Sequence, residues 1–410
     1  KRATHGETQT TESIMTWNGK VDCLVIGGGM ICEDMVLPTL FQQRRRGNVG
    51  RLQVVSLNAG IIQRLREVFP DEEFEGYPDP DEYPLDDNKP NEYKRLIDEL
   101  GDHGCVYVTT PDHLHTDMII EALQAGHGVV SMKPLCLKVD EAYRIIEAAE
   151  ETAGYVYTEY HKRRDRAARG LRHRYRSGEM GEALYGHAWI EEPKYIPLDK
   201  FKAWAHESSP FEYIGTHYAD LYHYVTGLKP RRLVAFGQKK YLPTQGSDAY
   251  DSVEVAIEWE NGSAFWIQTS WVCADDNAQM TQQGMMLHCT KGEYKADHAD
   301  RNCYFVTDEE GYENYNPNFM KPFDSWEPGE DVDWQGYGYE SCSRGLQHVQ
   351  YILPETEGMS EEAARERREE IISEFQENGC RAMPRQAIIG VAINNAARMS
   401  MENGSQYVTF

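Results

Sequence analysis

Three stretches place residues able to bind a phosphate or move a proton directly after short apolar runs. The first is Gly27-x-Gly29-x-x-Cys32, which follows Cys23-Leu24-Val25-Ile26. Glycine at 27 permits a tight turn, and glycine at 29 lets the backbone approach a pyrophosphate. The N–H groups of a helix opening at Met30 and Ile31 then face the anion. Cys32 takes the place of a third glycine, with a side chain small enough for close helix–sheet packing. A glycine turn without a ligand has the same spacing, but a position on the first strand of an α/β pattern favours a dinucleotide. The second stretch is Thr110-Pro111-Asp112-His113-Leu114-His115 and the third is Ser131-Met132-Lys133-Pro134. Both end apolar runs, and ligands of open α/β sheets lie beyond the carboxyl ends of strands. Thr110, Pro111, His115, Lys133 and Pro134 therefore join the candidate cofactor residues, although a lysine at such a position is also often simply solvated.

Asn58 stands after the second strand, where an acid that binds the adenosine ribose is expected. Its amide can hydrogen-bond a ribose hydroxyl and does not repel a 2′-phosphate. NAD is the expected cofactor, with NADP left open, and an ordinary turn residue is the other reading of Asn58.

Holding these residues in register requires a parallel sheet. Strand runs at 20–26, 52–57, 105–109 and 128–131 alternate with helical runs at 61–69, 92–100 and 113–125. A fourth helical run is expected to start at an Asp140 N-cap and end at Gly154. Strand–helix alternation of this kind predicts an α/β fold: a doubly wound Rossmann domain over 18–154. Residues 70–90 are acidic and Pro-rich and read as a loop.

The pattern then changes. Residues 253–259, Asn261-Gly262 and 264–269 carry a hairpin signature, with further strands at 285–289 and 304–307. A substrate-binding and oligomerisation domain is expected over 155–410, α+β with a large, mainly antiparallel open sheet. Helices are expected at 360–379 and 384–403, the latter packing back on the first domain. Residues 1–17 are polar and read as a flexible tail.

Composition narrows the partners. Across 410 residues the formal net charge is −25, so phosphate backbones and anionic lipid are repelled and neither nucleic acid nor a membrane is expected. No apolar run approaches the roughly 20 residues of a membrane span. Nine cysteines without a C-x-x-C motif suggest free thiols in a reducing compartment. A cytoplasmic location is expected, with the periplasm left open. Sheet faces without enough helices to cover them suggest a homodimer or homotetramer.

Several motifs in order carry a resemblance. Gly27-Gly28-Gly29, Pro111 to His115, Ala122-Leu123-Gln124-Ala125-Gly126-His127 and Met132-Lys133-Pro134 resemble the glucose–fructose oxidoreductase / inositol dehydrogenase / MocA family. So do Tyr160-His161-Lys162-Arg163-Arg164-Asp165, Ser177-Gly178-Glu179-Met180-Gly181-Glu182 and Gly215-Thr216-His217-Tyr218-Ala219-Asp220-Leu221. Two departures stand out: Met132 replaces the family's Glu before Lys-Pro, and Tyr213 replaces an Asp four residues before His217.

The resemblance implies an NAD(P)-dependent oxidoreductase acting on a secondary hydroxyl of a sugar, polyol or glycoside. The stretch from Ser209 to His217 is most similar to members that oxidise glycosides at C3. Lys133 and His217 are implied to work on the substrate hydroxyl. Tyr213 is either a member of that relay or an aromatic wall. His161, Arg163, Trp204, Tyr213 and His217 are the candidate substrate contacts. The spacing of His217, Asp220 and His223 permits a metal, but no further ligand cluster supports one, and none is expected. Two rivals remain: a redox-neutral glycosidase working through a transient 3-keto sugar, and a non-catalytic dinucleotide-binding protein.

Overall fold

Strands buried on both faces must be covered on both sides, which forces helices between them. The computed structural model describes residues 19–101, 104–277, 279–309 and 311–410; the expected tail at 1–17 lies outside the described residues. β1 (Val21–Ile26), β2 (Val49–Val55), β3 (Glu75–Tyr77), β4 (Cys105–Val108), β5 (Gly128–Met132) and β6 (Val156–Glu159) form a six-stranded parallel sheet in the order β3-β2-β1-β4-β5-β6. α1 (Leu37–Arg45), α2 (Ala59–Val68), α3 (Glu92–Glu99), α4 (His115–Gln124) and α5 (Val139–Glu151) connect them. Strand order reverses between β1 and β4, which opens a crevice at their carboxyl ends.

A second sheet follows. α6 (Arg166–Arg176) leads into β7 (Ala183–Pro193), and α7 (Thr216–Thr226) into β8 (Pro230–Gln238), β9 (Ser252–Trp259), β10 (Ala264–Cys273), β11 (Gln282–Cys289) and β12 (Glu293–Asp297). Two hairpins, β13 (Tyr304–Thr307) with β14 (Gly311–Asn314) and β15 (Lys321–Asp324) with β16 (Val332–Gln335), precede α8 (Tyr337–Thr356), α9 (Glu361–Asn378), α10 (Pro384–Glu402) and β17 (Val408–Thr409). The seven-stranded sheet runs β12-β11-β7-β10-β9-β8-β17, with β7 and β10 parallel and the other pairs antiparallel. The turn between β9 and β10 sits where Asn261-Gly262 was read, with Gly262 at φ +83°.

Four expectations are corrected. Residues 70–90 are not all loop: β3 adds an edge strand, held by the two-pronged Arg51–Glu75 pair at 2.8 and 2.6 Å. Its three residues are too short for a periodic signal. Asp140 lies in the first turn of α5; the cap is Lys138, whose N–H donates to the Glu141 carboxylate at 3.2 Å. Tyr304–Thr307 pairs only with β14 and stands outside the large sheet.

The boundary at 154 also moves, because β6 completes the parallel sheet. α8, where no helix is expected above, packs on that sheet with Leu346 and Val349 buried. A Cβ at Gly128 would come within 2.5 Å of Val349, and one at Gly345 within 2.5 Å of Val130, so glycine at both permits the approach. α10 contributes Ala387 and Val391 to the first core and Ile393 and Ala397 to the second. No helix among the described residues is long and apolar enough to cross a membrane.

One buried ion pair ties the halves together. Arg163, in the turn after β6, donates from Nε and Nη2 to the two oxygens of Asp220 on α7 at 2.8 and 2.6 Å, and from Nη1 to Gln386 on α10 at 2.9 Å. The two side chains are only 2% and 5% exposed. Removing one partner of such a pair strands the other charge in the interior. Asp220→Ala should therefore lower folding stability by about 3–5 kcal/mol, read as a fall in the urea midpoint. A loss below about 1 kcal/mol, the scale of a surface pair, would refute this.

Candidate active site

The carboxyl ends of β1, β4, β5 and β6 each deliver one sequence-selected group. After β1, Gly27 adopts φ +112°, where an added Cβ would stand 2.8 Å from the Thr109 main chain. Thr109 Oγ1 donates to the carbonyls of Ile26 and Gly27 at 3.0 and 2.9 Å, joining the β1 and β4 ends. A Cβ at Gly29 would meet no atom within 4 Å. This contrast fits a dinucleotide: Gly27 makes the turn, and Gly29 faces open space at a helix N-terminus where a pyrophosphate would lie. Met30 and Ile31 begin that helix, half-buried, and Cys32 is buried in the core.

After β4 and β5 the picture is partly corrective. His115 was expected to touch cofactor, yet it is 1% exposed and both ring nitrogens are engaged, with the carbonyls of Pro134 and Thr110 at 2.9 Å each. It braces the two loops that carry Thr110, Pro111 and Pro134. Asn58 caps α2, its Oδ1 accepting from the Ile61 N–H at 3.3 Å and its Nδ2 donating to Asn88 at 3.0 Å.

Lys133 is held from one side by Tyr213. Its Nζ donates to the Tyr213 carbonyl at 2.5 Å and stands 3.8 Å from the ring centroid. Burial lowers the Lys133 pKa, while Asp112, Glu192 and Glu159 favour its charged form. Tyr213 packs on Phe201, Trp204 and Trp271, with ring centroids 4.7, 5.5 and 6.2 Å away. Burial first, then nearby carboxylates, push its phenol well above the usual value, so it is no base at neutral pH. Trp204 extends the same aromatic wall and remains half-exposed.

His217, on α7, is 4% exposed and its Nδ1 is buried without a partner. Its pKa falls well below the ordinary imidazole value, chiefly from burial and further from the charges of His161, Lys133 and Lys162. The ring is therefore neutral at pH 7, with Nε2 left to meet a substrate. His161 lies 4.4 Å away between ring centroids, and its Nδ1 is 3.2 Å from the Glu159 carboxylate. Burial lowers the His161 pKa as well, opposed by Glu159.

Arg163, expected to bind substrate, spends its guanidinium on Asp220 and Gln386 and offers the site no free fork. Asp220 is thus consumed too, and His223 engages the Leu228 carbonyl at 2.8 Å. Among the described residues no group of three His, Cys, Asp or Glu is placed to hold a metal ion.

Four groups escaped sequence reasoning. Glu159 is buried with one oxygen unpartnered. Glu192, at the end of β7, is raised to about 7 by burial and accepts from Trp271 Nε1 at 3.0 Å. Lys162 is lowered to about 7, again by burial. Phe319 and Tyr337 lie 5.3 and 5.7 Å from the His161 ring, reaching it from over 150 residues away. A carboxylate at or near a strand end was the available signal for Glu159 and Glu192, and the Tyr160 to Asp165 motif for Lys162; nothing local marks the aromatic pair.

A Rossmann domain with a glycine cradle and a buried Lys133 after β5, joined to an open-sheet domain that supplies His217, defines a dinucleotide-dependent oxidoreductase architecture. The comparisons narrow it. Residues 21–160 match the profile described as oxidoreductase family, NAD-binding Rossmann fold, and residues 168–295 match the GFO/IDH/MocA C-terminal domain. The chain belongs to the Gfo/Idh/MocA oxidoreductase family, as its motifs implied.

Among curated relatives, the 1,5-anhydro-D-fructose reductase of Ensifer adhaerens is 24% identical over 47% of this chain and 56% of its own length. The scyllo-inositol 2-dehydrogenase (NAD(+)) of Bacillus subtilis (strain 168) is 27% identical over 42% of this chain and 50% of its own length. The chain thus spans about half the length of these relatives. The fold is that of a myo-inositol 2-dehydrogenase from Lactobacillus plantarum (TM-score 0.66, 15% identity, covering 95% of this chain and 99% of that one). It is equally that of an inositol dehydrogenase homolog from Azotobacter vinelandii complexed with NADH and myo-inositol (TM-score 0.68, 16% identity, covering 96% and 98%).

The cradle predicts that Gly29→Val folds normally and loses NAD affinity, because a branched side chain fills the space left for the pyrophosphate. Fluorescence titration with NAD checks this; affinity equal to the unmodified protein would place the cofactor elsewhere.

Proposed function

We propose that the protein is an NAD-dependent dehydrogenase acting on a secondary hydroxyl of a sugar, polyol or glycoside, with C3 of a glucoside as the position to test first. The observation that carries this is a neutral, buried His217 within the field of Lys133, at the carboxyl ends of the cofactor-binding strands. Bound nicotinamide supplies the hydride acceptor. His217 takes the hydroxyl proton at Nε2. Lys133 keeps two ammonium N–H groups for the substrate oxygen and stabilises its developing charge in a site that excludes water. Trp204 and the Tyr213 ring offer a flat apolar wall for a sugar face.

A second base stands ready in the Glu159–His161 pair. Removing a proton beside a newly formed ketone needs such a base, which favours redox-neutral glycoside cleavage as the second reading. A chromogenic glycoside separates the two: NADH accumulation marks the dehydrogenase, and aglycone release without NADH marks the lyase-like route.

His217→Ala should lower turnover about a hundredfold or more with NAD affinity unchanged. Lys133→Met should also lower it. Tyr213→Phe keeps both the carbonyl and the ring face that hold Lys133, so its turnover should stay within about threefold of the unmodified enzyme. The profile of kcat/KM should have an acid limb below the ordinary imidazole value of 6.5, as His217 protonates. Its alkaline limb should fall below the ordinary lysine value of 10.5 and vanish in Lys133→Met. Full turnover in both His217→Ala and Lys133→Met would move the chemistry elsewhere.

We also read the outer face of the large sheet as a homo-oligomer interface. Val234, Ala256, Trp266, His187 and Met286 form one row across five strands, and Trp266 is 44% exposed. Light scattering should report a dimer or tetramer that Trp266→Glu weakens; a monomer at micromolar concentration would exclude the interface.

A further inference from the structure

The corner beyond β2 poses a question that Asn58 does not answer. An acid there would bind the ribose and repel a 2′-phosphate; an amide does not repel one. In addition, the N-terminus of α2 would ordinarily offer free N–H groups to that phosphate. In this protein two of those groups, on Gly60 and Ile61, are taken. The Ile61 N–H donates to Asn58 Oδ1, and the Gly60 N–H donates to the Leu85 carbonyl at 2.9 Å.

Leu85 belongs to residues 78–90, which lie directly over this corner. The Lys89 N–H donates to the Leu57 carbonyl at 2.7 Å, and Asn88 accepts from the Asn58 amide at 3.0 Å. A Cβ at Gly60 would stand 2.9 Å from the Leu85 oxygen, so only glycine admits the segment this closely. At its start, Asp79 takes both Arg66 guanidinium nitrogens at 3.2 and 3.3 Å, anchoring it to α2.

The cations of the corner are spent in the same way. Arg64 pairs with Glu33 and donates to the Gly28 carbonyl, Arg66 pairs with Asp79, and Lys89 pairs with Asp87 at 2.7 Å. Among the described residues, Asp81, Glu82 and Asp86 carry no ion pair, which leaves the segment net negative.

We propose that residues 78–90 select NAD over NADP by covering the N-terminus of α2 with the Leu85 main chain and by the net negative charge the segment carries. The inference rests on the dinucleotide reading above. Discrimination comes from a covered anion site instead of from a ribose-binding acid. Asn58 keeps one amide N–H for a ribose oxygen.

The test is binding, not turnover. NAD and NADP are titrated against the full chain by isothermal calorimetry. The unmodified protein should prefer NAD by at least about tenfold. Replacing residues 80–88 with a short Gly-Ser linker should raise the NADP/NAD affinity ratio by at least about tenfold. A charge variant, Asp81→Asn with Glu82→Gln and Asp86→Asn, should raise it by about threefold or more at low salt and less at high salt. Equal affinities in the unmodified protein, or an unchanged ratio in the folded linker variant, overturn the selection mechanism while the cofactor reading stands. If the linker variant does not fold, an unchanged ratio in the charge variant overturns it. Binding of neither nucleotide overturns the cofactor reading and this inference together.

Discussion

The geometry of the site depends on burying a full ion pair at the joint between two domains. Arg163 lies in the turn after β6, and Asp220 lies one helical turn beyond His217 on α7. When the guanidinium grips the carboxylate, the turn that carries His161 is locked against the helix that carries His217. The fork geometry of arginine is what makes this possible: two bonds to Asp220 and a third to Gln386 leave little desolvated charge unmatched. Tyr224 beneath the guanidinium, 5.1 Å away, adds a cation–π contact in place of lost water. A lysine could not hold both directions at once.

Burial then sets the chemistry. The same loss of solvent that lowers Lys133, His161, Lys162 and His217 raises Glu192 and Tyr213. Desolvation is the leading cause in each case, and neighbouring charges only modulate it. The outcome is a neutral imidazole, a lysine whose charge is supported by three carboxylates, and a phenol with no tendency to ionise.

Much of this was legible in the residues. The glycine turn, the Lys-Pro after β5, the α/β alternation and the Asn-Gly hairpin were identified from type and position, and the His on α7 from the family resemblance of its motif. These signals are local: a turn needs glycine within a few residues, and an apolar run marks a strand wherever its partners lie. Other parts were illegible for the converse reason. β3 is too short to show a period. His115 and Arg163 were chosen as ligand contacts because their types suit the task, although type does not reveal which polar partners the fold supplies.

Composition, motif order and strand–helix rhythm in the sequence alone therefore determined the family, the α/β class and the residues most suited to proton transfer. Only the tertiary structure decided which polar groups remain free. Arg163 is spent on Asp220, His115 on two carbonyls and the Gly60 N–H of α2 on Leu85, while His217 keeps a nitrogen and Gly29 keeps open space. The physical reason is that a hydrogen bond or ion pair is satisfied by whatever the fold brings within about 3 Å, and most of those partners come from segments about twenty to over two hundred residues away.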